Sequence, residues 1–257
     1  MTWDPAQYLK NAGPRLRPAL DLLAAVRLEA PARIVDLGCG PGNITPLLAA
    51  RWPEAQITGI DNSPDMLEAA RKAVPGANFE EADARTWEAP APVDLIYANA
   101  ALQWLDDHAT QFPRLLAQLR PGGVLAVQMP RNHFAPSHRL MAEAFAAGPW
   151  SARVPVPSGL PPVHDPQDYY RLLAPFCAGL EIWESDYLQV LDGEDPVKEY
   201  TKATGLRPYL AALEGDERTA FEADYAARLR QAYPKEADGR TLFPFRRIFL
   251  IAERAGA

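Results

Sequence analysis

The chain has 257 residues, long enough to bury a large core without disulfides or metals, as one large α/β domain or a core domain carrying an insertion. Hydrophobic residues make up 48 % and charged residues 23 %, ordinary for a folded globular protein and too apolar for a disordered one. The net charge is −7 and no Lys/Arg cluster exceeds a pair, which excludes the basic footprint a nucleic-acid substrate requires.

Met1-Thr2-Trp3-Asp4-Pro5 lacks the basic and apolar blocks of a signal peptide, and no apolar run has the length of a membrane span. Arg33 to Leu37 reads as a first strand that ends in a glycine loop, with a helix following to about Arg51. Gln56 to Ile60 is a second strand closing at Asp61, and Ser63-Pro64 then opens a helix with a cap residue and a proline in its first position. Asn78 to Glu81, Asp94 to Ala98 and Val124 to Met129 supply three more strands, and Pro121-Gly122-Gly123 predicts a stop before the last of them. Short strands alternating with helices predict parallel βαβ units with right-handed crossovers. Residues 148 to 166 are proline-rich and predict a surface loop. Strands are expected at Leu180 to Leu191 and Phe245 to Ala252, with helices between 195 and 233.

The most informative run is Val35-Asp36-Leu37-Gly38-Cys39-Gly40-Pro41-Gly42-Asn43. Alternate glycines between a strand and a helix allow backbone to approach a ligand closely, and exposed amides at a helix start suit an anionic or polar group. The spacing is GxGxG rather than the GxGxxG of dinucleotide binding, with an acid two positions before the first glycine. Asp61, closing the next strand, stands where a carboxylate would grip ribose hydroxyls. Cys39 and Cys177 form no CxxC pair, so neither a zinc site nor a disulfide framework is expected, and a reducing cytoplasm fits.

In these motifs, over roughly residues 30 to 130, the chain resembles the class I S-adenosylmethionine methyltransferases. The resemblance implies a Rossmann-like α/β fold: a mostly parallel seven-stranded sheet with an antiparallel C-terminal strand. It implies S-adenosylmethionine as cofactor, with S-adenosylhomocysteine as product. Asp36 would lie near the methionine amino group, and Gly38 and Gly40 would line the methionyl and ribose portion. Asp61, with Asn62 beside it, would take the ribose hydroxyls. Asp83 of Glu81-Ala82-Asp83-Ala84 would accept from the adenine amino group, with Ala84 at the ring. Asn99 of Tyr97-Ala98-Asn99-Ala100 would lie beside the sulfonium.

A finer resemblance, to the trans-aconitate methyltransferases, covers nearly the full chain. It is carried by Trp3-Asp4-Pro5 with Tyr8, Arg15-Leu16-Arg17-Pro18, Ala98 to Trp104, Val127-Gln128-Met129-Pro130 and Ala203 to Tyr209. It implies a small anionic polycarboxylate as partner, an N-terminal flap over residues 1–29, a cofactor-binding core over 30–135, and a helical insertion over 192–243 covering the acceptor site. An ionised carboxylate attacks a sulfonium methyl without a base, so alignment and water exclusion are the tasks expected of the protein. Arginine forks suit the carboxylates that do not react. After residue 200 there are ten Lys/Arg against eight Asp/Glu, and Arg207 and Arg246 are the leading anchors, with Gln103, Trp104 and Tyr209 shaping the pocket. On a strand, either Arg246 or Arg247 must face outwards. The alternatives are another small acid or an acyl thioester as acceptor, an NAD-dependent oxidoreductase, and a non-catalytic binding protein. A monomer is the default state.

Overall fold

The computed structural model describes residues 12–157, 163–202 and 204–256, so Trp3, Asp4, Pro5, Tyr8 and Ala203 lie outside the described residues. The described helices are α1 (Ala12–Ala25), α2 (Thr45–Arg51), α3 (Pro64–Ala73), α4 (His108–Ala117), α5 (Pro136–Ala147), α6 (Pro166–Leu173), α7 (Pro196–Lys202), α8 (Arg207–Ala211) and α9 (Gly215–Ala232). The strands are β1 (Arg33–Leu37), β2 (Gln56–Asp61), β3 (Asn78–Glu81), β4 (Val93–Asn99), β5 (Leu119–Pro130), β6 (Cys177–Leu191) and β7 (Thr241–Arg254). Among the described residues they form one seven-stranded sheet in the order β3-β2-β1-β4-β5-β7-β6.

Pairing is parallel from β3 through β2, β1 and β4 to β5, and antiparallel between β5 and β7. The strand order reverses between β1 and β4, the switch point where open α/β sheets leave a crevice at their carboxyl ends. Local sequence explains the crossovers. Ser63 caps α3 by accepting from the Met66 amide (3.4 Å), Pro64 occupies its first turn, and Asp65 and Arg71 complement the helix dipole at opposite ends.

Pro121-Gly122-Gly123 is not the stop its composition predicts. β5 runs through it, and its register against β4 jumps from Val93↔Leu119 to Leu95↔Val124. The run is therefore a bulge. Gly122 takes φ +71°, and a Cβ on Gly123 would come within 2.9 Å of the Arg120 carbonyl oxygen. Across the bulge, Asp94 pairs with the Arg120 guanidinium and accepts from the Ala32 and Arg33 amides (3.0 and 2.8 Å). Those contacts hold the bulged strand to its neighbours.

By internal contacts the chain divides into two compact units. The first comprises residues 1–130, 163–185 and 247–257. Its core joins Val35, Leu37, Ile96 and Ala98 of the central strands to Phe112 and Leu115 of α4 and to Tyr169 and Leu173 of α6. The second comprises residues 131–162 and 186–246, and so contains all of 192–243. Its core is aromatic: Phe145, Trp150, Tyr209, Phe221, Tyr225 and Phe243 are buried together. Tyr209 meets Phe145 edge-on at 5.5 Å and lies parallel to Phe221 at 6.0 Å, the geometry in which aromatic rings attract beyond their buried area. Among the described residues no helix is long and apolar enough to cross a membrane.

Candidate active site

The glycine loop leaves β1 with Gly38, Gly40 and Gly42 at φ +74°, +54° and +77°, backbone that other residues adopt only under strain. The Gly38 and Cys39 amides both donate to the Ile60 carbonyl at 2.7 and 2.9 Å, tying the loop to the end of β2. The glycines serve different ends. A Cβ on Gly38 would strike the Ala101 Cβ at 2.3 Å, so its role is packing against the turn after β4. A Cβ on Gly40 would meet nothing within 4 Å, so the absent side chain leaves open space for a ligand.

Asp61 closes that space from the next strand. Its Oδ2 accepts from the Gly40 amide and its Oδ1 from the Ser63 amide, both at 2.9 Å. Burial pushes its carboxyl up, and the amides of Gly40, Ser63 and Asn62 oppose the shift. The side chain is therefore fixed in place by backbone, and each oxygen keeps acceptor capacity for a further donor. Asn62 itself is exposed.

Asp36, two residues before Gly38, is buried and accepts from the Thr45 hydroxyl at 2.8 Å. Burial pushes its carboxyl up to about 7, with the Asp61 charge adding to the rise and Thr45 opposing it. A carboxylate at 2 % exposure favours a cationic partner beside it. At the end of β3, Asp83 is held by Arg85, whose amide donates at 2.9 Å and whose Nε donates at 3.1 Å, and this keeps the carboxyl low. The Ala84 carbonyl accepts from the Arg114 guanidinium, which also reaches the Trp87 carbonyl at 2.5 Å.

Beyond β4 the chain turns sharply. Ala100 takes φ 54° and its amide donates to the Gln128 carbonyl at 2.9 Å. Gln103 Nε2 donates to the Ala100 carbonyl at 2.7 Å. The Asn99 Oδ1 and Gln103 Oε1 atoms are buried without a hydrogen-bond partner among the described residues. Trp104, on the same turn, is 41 % exposed. His108 is structural: its Nε2 donates to the Leu102 carbonyl at 2.9 Å and its Nδ1 meets the Tyr169 hydroxyl at 2.7 Å. Burial pushes its pKa down, so the neutral ring with the proton on Nε2 suits both contacts.

In the second unit Arg207 opens α8, and Tyr209 on the same helix is buried in the aromatic core. Arg246 is exposed and held by Asp186 through two contacts of 2.9 Å. Its neighbour Arg247 is buried at 4 % exposure and donates from Nη1 to Gln128 Oε1 at 3.2 Å. The contacts of Thr45 with Asp36 and of Arg247 with Gln128 were not legible in the sequence. For the last two the available signal was a polar side chain inside an otherwise apolar strand.

The family pattern described as a methyltransferase domain matches residues 34–123, the stretch holding β1 to β4 and the glycine loop. A trans-aconitate 2-methyltransferase of Azoarcus sp. (strain BH72) is 53 % identical over 98 % of this chain and 99 % of its own length. The chain belongs to the trans-aconitate 2-methyltransferase family. A second member, from Methylobacterium radiotolerans, is 48 % identical over 98 % of both chains. Among solved structures, the YcgJ protein from Bacillus subtilis superposes with a TM-score of 0.60 at 14 % identity, covering 94 % of this chain and 100 % of its own. That likeness is one of fold, and the strand order with antiparallel β7 is the sheet the resemblance implied. The oxidoreductase alternative receives no support from these relatives.

Proposed function

We propose that this chain transfers a methyl group from S-adenosylmethionine to a carboxylate of trans-aconitate, giving the monomethyl ester. The observation that carries the reading is 53 % identity across nearly the full length to a relative of that name. The residues present fit the cofactor. Gly40 leaves a cradle that any Cβ would fill, Asp61 offers two backbone-fixed acceptor oxygens to ribose hydroxyls, and Asn99 Oδ1 is a buried acceptor awaiting a partner. Asp36 would face the methionine ammonium, Gly38 would hold the loop's path, and Asn62, Asp83 and Ala84 would border the ribose and adenine. When bound, the cofactor supplies a methyl group on a positively charged sulfur.

The acceptor's carboxylates are ionised near neutral pH, so no side chain has to remove a proton, and the occupied ring nitrogens of His108 agree with that. Gln103 and Trp104 would shape the acceptor side of the site. Arg207 and Tyr209 are assigned to the same acceptor by the sequence resemblance, as is the service of residues 192–243 to it. Arg246, engaged with Asp186, is left out of the set that contacts substrate. Two free cysteines, Cys39 and Cys177, fit the cytoplasmic setting proposed for the chain. The charge of −7 favours a small-molecule acceptor over nucleic acid, and a single chain is taken as the working unit.

Methyl transfer to trans-aconitate, cis-aconitate, citrate and isocitrate tests this directly. Strong preference for trans-aconitate is expected. Transfer only to an acyl thioester or another small acid would replace the acceptor and keep the reaction. The cradle has its own test. Gly40→Ala keeps local space but adds strain of about 1 kcal/mol at positive φ, so Tm should fall by about 2–4 °C. Cofactor affinity should fall further, by about tenfold or more, because the new methyl group occupies the ligand's approach. Unchanged affinity by calorimetry would place the cofactor elsewhere.

A further inference from the structure

One motif singled out in the sequence, Val127-Gln128-Met129-Pro130, has been given no role in the cofactor site. β5 is two strands from β1, about 10 Å away, on the side opposite β2 and β3 that carry Asp61 and Asp83 at or just beyond their ends. Register pairs Asn99 with Gln128 and Pro130 with Arg247, and residues two apart on a strand share a face. Asn99, Gln128 and Arg247 therefore lie on one face at the carboxyl ends of β4 and β5. Gln128 has no exposed surface.

The chemistry fixes how this amide points. A guanidinium can only donate, so the contact from Arg247 Nη1 at 3.2 Å must fall on Gln128 Oε1. The amide nitrogen is then turned away, buried, with no hydrogen-bond partner among the described residues. An amide nitrogen with two N–H groups left unsatisfied is costly, and a bound acceptor, water or ligand, would relieve that cost. The neighbouring Gln103 is oriented the opposite way, because its nitrogen donates to the Ala100 carbonyl and its oxygen is left over. The β5 side thus offers donors, whereas the turn after β4 offers acceptors.

We propose that Gln128, oriented by Arg247, donates to a carboxylate of the acceptor that does not react, and so sets the preference for a polycarboxylate. This rests on the methyltransferase reading above. Arg247 acts here as a positioning residue, keeping the amide nitrogen towards the acceptor.

Gln128→Leu removes the donors at nearly constant volume. Dissociation constants on the enzyme holding S-adenosylhomocysteine are compared for trans-aconitate and for the three dicarboxylates that each lack one of its carboxylates: itaconate, glutaconate and mesaconate. For the wild type, loss of the contacted carboxylate should raise Kd by about tenfold or more. In Gln128→Leu that one step should vanish while the other two persist, with S-adenosylhomocysteine affinity within about twofold of wild type. Arg247→Met should reproduce the effect, and Arg247→Lys should restore part of it. If Gln128→Leu does not fold, Gln128→Met serves in its place.

All three steps intact would overturn the proposal and leave the pair structural. A loss of cofactor affinity with unchanged acceptor Kd would overturn it in favour of the cofactor. Wild-type turnover separates the two readings. Its absence removes the proposed function, and failure of trans-aconitate to bind the enzyme holding S-adenosylhomocysteine removes this inference as well.

Discussion

Asp36→Asn is expected to make the cofactor-free protein more stable at pH 8 and a poorer binder of its cofactor. The wild-type carboxyl is held at about 7 against an ordinary value of 3.8, with burial as the largest cause. The folded form therefore binds the proton more tightly than the unfolded form. Stability from this group is fully present below about pH 4 and is lost as pH rises through about 7. Three pH units at about 1.4 kcal/mol each put the loss on the order of 4 kcal/mol. Asparagine resembles the protonated acid and keeps an acceptor for the Thr45 hydroxyl, so the variant should lose this dependence. Thermal unfolding without ligand should give a Tm advantage of the variant over wild type that grows as pH rises from about 4 and levels off above about 7, so that it is larger at pH 8 than at pH 5. In the proposed site the ionised form faces a cationic ammonium. The variant should then bind S-adenosylhomocysteine about ten- to a hundredfold more weakly at pH 8, as for a lost hydrogen bond between charged groups. A variant less stable than wild type at pH 8 would sink the argument.

In the proposed site, that exchange of stability for a binding charge would explain why an acid stands inside the apolar end of β1. It also bears on what sequence could reveal. The glycine loop and Asp61 were legible because their contacts are short range or lie between adjacent parallel strands: Gly38 to Ile60, Gly40 to Asp61. The five core strands were legible for the same reason, as apolar runs bounded by turn residues. The Pro121-Gly122-Gly123 run was misread because a bulge and a stop have the same local composition. Only Asp94 and Val93, across the sheet, distinguish them. Strand alternation required one of Arg246 and Arg247 to face out, but not which one. The phase comes from the register Pro130↔Arg247, and that is set by contacts more than a hundred residues apart. Gln128 was hidden similarly, since its meaning depends on the guanidinium that orients it. Tyr209 packs in the second unit's aromatic core, a place sequence could not give because aromatic residues line pockets and fill cores alike.

Asp61→Ala should weaken cofactor binding by a different route, and a truncated ligand distinguishes the two. Its carboxylate accepts from the Gly40 and Ser63 amides at 2.9 Å each, so the substitution frees the loop as well as removing the ribose acceptors. Hydrogen bonds to a charged group contribute about 1.5–3 kcal/mol each, although solvent entering the vacated space offsets part of that. A net loss of about 1–3 kcal/mol, or roughly 5- to 150-fold in affinity, is expected. Methylthioadenosine retains the ribose and adenine but lacks the amino-acid end. Asp61→Ala should therefore weaken methylthioadenosine and S-adenosylhomocysteine alike. Asp36→Asn should weaken only S-adenosylhomocysteine. Asp61→Asn should recover little, since its nitrogen would face one of the two amides that now donate. Titration of both ligands against both variants separates the ribose end of the site from the amino-acid end. If Asp61→Ala binds methylthioadenosine as the wild type does, the ribose is not where the β2 carboxylate can reach it, and the assignment of Asp61 to the cofactor fails.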